Sequence, residues 1–449
     1  MPKKTIQLSD HFTYSRLLRF VLPCIGTMLF TSIYGIVDGL CVSNFVGKTA
    51  FAAVNLIMPL PMLLGTIGFM LGTGGSAIVG ITLGEGDQKK ADRYFTLFLL
   101  AALVSVSVLA VLGIVFLRPI AVLLGAKGEL LDYAVRYGRI LMVSLPTFAL
   151  QNMFQSFFVT AEKPHLGFWF TVGAGCTNMV LDVLMVGVWG WGVEGAAIAT
   201  FISQLVGGVL PVFYFIDRSN TSRLHLCKTS FYSKVLRDAC INGSSELMTN
   251  LSMSLVNILY NYQLLRLAGE NGVAAYGVIM YAAFLFVAVF VGYAVGSAPI
   301  VSFHYGARNH AEVHNLYRKS LRLIAVVAVT LTLASMFIIP CVARVFVGYD
   351  AELLALTSRA FRLYALSFLI MGFNVYASSF FTALGDGVTS ALISFLRTLA
   401  FQVIAILLLP MLLGIDGIWL AVTAAELAAL AVSAAMLLTK DKVFHYRKA

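Results

Sequence analysis

The sequence predicts an all-α membrane protein: twelve transmembrane helices in two six-helix lobes, related by a pseudo-twofold axis along the membrane normal. Three observations predict it. The 449 residues are 59% hydrophobic and only 12% charged, with mean hydropathy +0.89, against about 25% charged in an ordinary soluble domain. About twelve apolar stretches are each some 20 residues or longer, enough to cross a hydrocarbon core about 30 Å thick. The second half of the chain also repeats landmarks of the first at a nearly constant spacing.

In chain order, the apolar stretches place spans at 17–42, 50–76, 94–117, 134–160, 165–188, 193–216, 243–268, 273–300, 320–346, 358–384, 389–412 and 415–438. An even number of crossings puts both ends on one side. The loops on that side hold 21 of the 31 Lys and Arg, among them Lys3, Lys4, Lys89, Lys90, Arg93, Lys163, Arg308 and Lys448. The opposite loops hold 9, including Lys48, Arg136, Arg139, Arg266 and Arg359, which leaves Arg397 inside a span. Because cytoplasmic loops carry the excess of basic residues, both termini are expected in the cytoplasm, with the protein in the plasma (inner) membrane. The first 19 residues are polar, and the apolar run from Phe20 continues past Asp38 without a small-residue cleavage site. The first span itself is therefore expected to do the targeting.

The formal charge of +10 sits between spans rather than in a patch, so nucleic acid is not an expected partner; the lipid bilayer is. Six cysteines (Cys24, Cys41, Cys176, Cys227, Cys240 and Cys341) show neither CxxC nor metal-ligand spacing and read as packing residues. There is no HExxH, no P-loop lysine motif, no G-x-S-x-G elbow and no dinucleotide fingerprint between strand and helix, so no enzyme and no cofactor are expected. Gly72 to Gly75 reads as a small-residue surface for close helix packing.

The most polar internal stretch, Asp217 to Asp238, divides the chain into an N-lobe of residues 1–220 (spans one to six), a cytoplasmic linker of 221–237 and a C-lobe of 238–449 (spans seven to twelve). An offset of 222 lays Gly192-Val193-Glu194-Gly195 on Gly414-Ile415-Asp416-Gly417, Gly84 on Gly306 and Gly74 on Gly296, while 223 lays Phe157-Phe158 on Phe380-Phe381. Tandem duplication is the simplest account. Six crossings per copy give both copies the same orientation and a cavity where they meet, which is transporter architecture.

What the duplication does not repeat is informative. Asp38 falls opposite Tyr260, Asn178 opposite Ala400, Asp182 opposite Ile404 and Thr200 opposite Val422. An Asp at mid-span costs about 2.5–3.5 kcal/mol on insertion scales, so two in one half require partners or a wet cavity. Asn178 and Asp182 lie one turn apart on one helix face, as do Tyr34 and Asp38. Two carboxylates with an amide and a hydroxyl suit a hard cation such as sodium. Without a metal ion, the pair would share a proton. The same groups would also serve as hydrogen-bonding glue between helices, and residue types alone leave that reading open.

These residues resemble the multidrug and toxic compound extrusion (MATE) transporters. The likeness is carried by Pro23 and Asp38, by Gly72-Thr73-Gly74-Gly75-Ser76 leading to Leu83-Gly84-Glu85-Gly86-Asp87, and by Asn178 to Asp182. It continues through Gly192 to Thr200 with Ser203-Gln204, and through Gly296-Ser297-Ala298-Pro299 into Tyr305-Gly306-Ala307-Arg308-Asn309. The resemblance implies two lobes forming a V that export amphipathic, often cationic compounds in exchange for sodium ions or protons. It implies a cation-coupling site at Asp38, Asn178, Asp182 and Thr200, which are the metal ligands if the ion is sodium, with Tyr34 as neighbour. It also implies a hinge at Pro23, whose ring removes a backbone bond. Asn242-Gly243-Ser244-Ser245-Glu246 and His304 depart from the family pattern, and the tenth span has no deep carboxylate, which argues against a second cation site.

Candidate substrate-cavity residues are Gln151, Asn152 and Gln155 in the fourth span, interleaved with Met153 and Phe154, together with Arg397 and Glu426. Interhelical bonding, or an Arg397–Glu426 ion pair, is the competing reading. Glu246 reads as a solvated residue at the cytoplasmic mouth of the seventh span, with guidance of cationic substrates as the competing reading. The resulting expectation is a monomeric, cation-coupled multidrug exporter working by alternating access. The alternatives are a lipid-linked precursor flippase of the wider superfamily, and a membrane receptor or scaffold that moves nothing.

Overall fold

The structure, a computed structural model, describes residues 6–46, 48–348 and 350–447, without the side chains of 39–44, 48 and 345. Lys3, Lys4 and Lys448 of the charge count lie outside it, as do the Cys41 and Lys48 side chains. Helix α1 (Tyr14–Phe45) is followed by α2 (Lys48–Ile57) and α3 (Pro59–Gly84), α4 (Gln88–Leu123), α5 (Gly128–Thr160), α6 (Pro164–Asp182), a π turn (Val183–Val188), α7 (Gly192–Gly208) and α8 (Leu210–Ile216). The second half comprises α9 (Ser233–Asn242), α10 (Ser244–Gly306), α11 (His310–Val347), α12 (Ala351–Ala365), α13 (Phe368–Ala383), α14 (Gly387–Phe395), a second π turn (Leu396–Ala400), α15 (Phe401–Leu413), α16 (Ile415–Thr439) and α17 (Asp441–Phe444).

Among the described residues, nine helices are long and apolar enough to cross a membrane, or ten when the bent pair α12 and α13 counts as one span. The remaining two expected crossings are present in disguise. Helix α10 is two crossings joined at Gly269, whose φ of 61° and ψ of −150° only glycine adopts without strain. Helix α5 is long enough, but Gln151, Asn152 and Gln155 break up its apolar run. Helices overrun the predicted spans by up to ten residues, as at His310 against 320, because helix-forming polar residues carry the helix past the end of the apolar run.

The duplication is written into the backbone. Gly86 and Arg308 both take positive φ, 88° and 56°, and Gly192 and Gly414 share a φ of 59°, both pairs 222 apart. Glu162 and Gly385, with φ of 61° and 83°, pair at 223. Ion pairs repeat too: Arg136 meets Glu194 at 3.7 Å, and their counterparts Arg359 and Asp416 also pair.

Both chain ends lie at one end of the molecule. The Phe12 carbonyl accepts from Lys319 Nζ at 2.6 Å, and the Tyr446 carbonyl meets His314 Nδ1 at 2.9 Å. At this terminus end one continuous core draws on both lobes, from Leu8 and Phe12 through Phe95 and Phe158 to Tyr376 and Phe381. Away from it, the apolar clusters belong to one lobe each. The N-terminal strap crosses the seam: Leu8 N–H donates to Glu162 of the N-lobe at 2.8 Å, and Phe12 N–H to Glu312 of the C-lobe at 2.9 Å. Arg223 closes on Glu162 at 2.6 Å. Burial alone would raise the Asp386 carboxyl, but the hydrogen bonds from Lys440, at 2.8 Å, and Thr389 hold it below its ordinary range.

The seam rests on glycines. A Cβ on Gly84 would overlap the Phe303 carbonyl, and one on its repeat mate Gly306 would overlap the Ile81 carbonyl. Gly74 meets Ala239 and Gly243 in the same way, and Gly292 and Gly296 meet Ile25 and Cys24 of α1. The Gly72 to Gly75 run thus serves helix packing. Overpacking typically costs about 1–3 kcal/mol. Gly84→Leu and Gly306→Leu should each destabilise the purified protein by at least that much in thermal unfolding. Gly35→Ala, where nothing lies within 4 Å, should not.

Candidate functional site

The first candidate site lies in the N-lobe, in the half away from the termini. Asp182 ends α6 where the chain widens into the π turn, a local irregularity that often accompanies function. A Cβ on Gly175 of α6 would press on Phe30 and Tyr34, so the bare glycine lets α1 approach and brings Asp38 to Asp182. The two carboxyl groups come within hydrogen-bond reach of each other. Asp182 is fully buried, and no donor of the described residues reaches either of its oxygens. A bond between them therefore exists only when one carries a proton, or when a cation bridges them. Asn178, one turn earlier, is buried with its Nδ2 unpartnered.

Tyr34 stands beside Asp38, and Tyr137 of α5, buried and close to both carboxyl groups, joins them. Tyr137 was not legible: flanked by Arg136, Gly138 and Arg139, it reads as an interfacial aromatic at a span end. Thr200 is half-buried on α7, and its side borders a small adjoining pocket of about 50 Å³ with Gln204, Met58 and Phe148. Pro23 lies where α1 is wedged between Phe168 of α6 and Gly292 and Gly296 of α10, and its carbonyl accepts from Thr27 Oγ1 at 2.9 Å.

A second region lies between the lobes. A cavity of about 190 Å³ is walled by Thr73, Ser76 and Ser156 from the N-lobe and by Glu246, Ser378 and Arg397 from the C-lobe. Glu246 is thus half-buried on a cavity wall rather than solvated at a span mouth. Arg397 and Glu426 also share a second cavity of about 210 Å³ within the C-lobe, with Nη1 and Oε1 3.9 Å apart. Glu426 Oε2 accepts from Asn374 Nδ2 at 2.7 Å, and Asn374 Oδ1 accepts from Ser433 at 2.9 Å. Asn374, which reads as an unremarkable span residue in sequence, anchors this network. Gln151 packs beneath Gly207, Asn152 is buried with Nδ2 unpartnered, and Gln155 borders a small void beside Cys24 and Thr27. Among the described residues, no three His, Cys, Asp or Glu side chains cluster as a metal site.

Comparison with known proteins bears on this arrangement. The family model MatE matches residues 23–184 and 247–408, once in each repeat. The chain belongs to the MatE family. It is 21% identical over 436 residues to the multidrug export protein MepA of Staphylococcus saprophyticus, covering 96% of this chain and 95% of that one. To MepA of Staphylococcus aureus it is 22% identical over 433 residues, with the same coverage. A crystal structure described as an outward-facing conformation of a multidrug resistance MATE family transporter of the MOP superfamily superposes over 100% of both chains, with TM-score 0.91 and 23% identity. Crystal structures of MATE in bent and straight conformations give 0.89 over 99% of both chains at 23% identity and 0.91 over 100% at 22%. The chain is thus a multi-pass membrane protein with the family's twelve-helix, two-lobe fold.

Removing a buried charge that has no donor should stabilise the empty site. Asp182→Asn is expected to raise the unfolding free energy of the purified protein by about 1–3 kcal/mol at alkaline pH without sodium. A thermal unfolding shift of the opposite sign would show that Asp182 has a partner.

Proposed function

We propose that this protein is a secondary active multidrug exporter, exchanging amphipathic, often cationic compounds for sodium ions or protons by alternating access. The observation that carries the reading is the Asp38–Asp182 pair, present in one lobe only, in which Asp182 is fully buried and neither of its oxygens meets a donor of the described residues. A duplicated helix bundle needs no such pair for its packing, since the second copy does without it. The names of the MepA relatives, multidrug export proteins, support the direction and cargo.

In this reading Asp38 and Asp182 hold the coupling ion, Asn178 and Thr200 supply neutral oxygens, Tyr34 and Tyr137 wall the site, and Pro23 is the hinge. An empty pair is two like charges in a poor solvent, so it binds a cation strongly. One charge moving through the membrane potential yields about 2.3 kcal/mol per 100 mV, roughly a fiftyfold bias, which is enough to drive export. The compound occupies the cavity between the lobes and leaves as the ion enters. The Lys and Arg excess supports cytoplasmic termini in the plasma membrane. With that orientation, the lobes are joined on the cytoplasmic side and the cores part toward the outside. The protein acts as a monomer.

Dye efflux from cells, and from proteoliposomes given a sodium gradient or a pH gradient, tests this. Asp38→Asn and Asp182→Asn should each reduce gradient-driven efflux by tenfold or more at equal expression. Efflux equal to the parent in either variant would sink the coupling assignment, and the gradient that drives the parent identifies the ion.

A further inference from the structure

We propose that the C-lobe cavity binds the carboxylate of an aromatic compound, so that the two repeats carry ligand sites of opposite polarity. The inference deepens the exporter reading and rests on it.

The cavity is a repeat of the small N-lobe pocket. Met58, Pro61, Met62, Thr200 and Gln204 of that pocket fall on Met280, Ala283, Phe284, Val422 and Glu426 at an offset of 222, and Leu141 and Phe148 on Tyr364 and Met371 at 223. At Asp38, which lies outside the lining of that pocket but whose repeat mate Tyr260 lines the C-lobe cavity, the chemistry inverts. An acceptor at the first position becomes a donor at the second.

Tyr260 is only 2% exposed, lines the cavity, and has a hydroxyl without a partner. Its stacked neighbour Tyr276, with ring centroids 4.9 Å apart, turns its own hydroxyl to Asn257 Oδ1 at 2.8 Å and makes no hydrogen bond with Tyr260. Arg397 lines the same cavity, and its Nη1 is buried and unpartnered. Glu426, the acceptor nearest in charge, stands 3.9 Å away, beyond hydrogen-bond range, and is held back by Asn374. Two buried donors with nothing to donate to among the described residues are rare and call for an acceptor from outside.

A guanidinium fork matches a carboxylate. Met253, Phe284 and Tyr364 give the cavity apolar and aromatic walls for a ring. Arg397, Thr249 and Met253 also line the cavity between the lobes, so the site is reached from the proposed transport path. Glu246 faces that path and interacts with Arg397. A compound that also carries an amine, presented toward Glu246, therefore fits better than a simple anion.

Dansylglycine and its methyl ester differ only in the carboxylate and report binding by fluorescence. Purified full-length protein should bind the acid about tenfold or more tighter than the ester. Arg397→Gln and Tyr260→Phe should each move that ratio toward one. Glu426→Gln, which removes the competing negative charge, should raise it. A ratio near one in the parent, or an undiminished ratio in folded Arg397→Gln, overturns the inference. Should Arg397→Gln fail to fold, Tyr260→Phe, the loss of a single oxygen, decides the question alone. Efflux that survives Asp38→Asn overturns the coupling assignment and leaves the acid preference standing. Efflux that depends on Asp38, with no acid preference in the parent, overturns this inference alone.

Discussion

Backbone-to-backbone contact across the pseudo-twofold, at Gly84 against Phe303 and Gly306 against Ile81, is the constraint on which the architecture depends. In a bilayer there is little hydrophobic reward for helix association, because lipid tails are as apolar as leucine; helices adhere where small residues let them approach closely. Here that approach is confined to the terminus end, where one core runs through both lobes. The other end is left to separate clusters, and the space between them is what a V-shaped transporter uses. The polar strap from Leu8 to Phe12 and the Glu162 and Glu312 acceptors tie the same end in hydrogen bonds that a reversible opening can break.

Duplication supplied a symmetric frame, and divergence supplied the chemistry. The frame is preserved to the level of single dihedral angles and of the Arg136–Glu194 and Arg359–Asp416 pairs. These positions close the loops and fix how each copy turns, so both copies retain them. The interior polar positions bear no such duty. Asp38 has Tyr260 as its mate and Thr200 has Val422, and one copy holds the Asp182 carboxylate without a donor while the other holds Arg397 Nη1 and the Tyr260 hydroxyl without an acceptor among the described residues.

Much of this was legible in the sequence because membrane burial makes hydropathy a strong signal. The repeat was legible because its markers, Gly192 and Gly414 or Gly84 and Gly306, sit where only a glycine serves, by φ or by close approach. Asp38 and Asp182 stood out for the insertion penalty of each. Tyr137 did not, since a tyrosine at a span end is ordinary; only the approach of α5 to α1 and α6 gives it meaning. Glu246 looked solvated for a similar reason. Its place on the cavity wall follows from the neighbouring lobe, and sequence position within one span carries no information about that. The π turns at Val183–Val188 and Leu396–Ala400 were likewise unannounced, because a one-residue widening leaves composition unchanged.

Helix α1 joins the two regions mechanically. Pro23 lies at the seam, where Cys24 and Ile25 touch Gly296 and Gly292 of the other lobe, and Asp38 lies fifteen residues further along the same helix. At 1.5 Å per residue that is about 22 Å. An α-helix transmits rotation and bending over such a length, except where a backbone bond is missing, and Pro23 places that weak point at the seam. In the proposed cycle, an ion arriving between Asp38 and Asp182 draws α1 toward α6 at one end. The joint at Pro23, through which the movement can relax, lies against the glycines that hold the lobes together. In this reading, a site in the half away from the termini and the seam at the terminus end are linked without any contact between ion and compound. On the proposed mechanism, one coupling pair in one copy suffices.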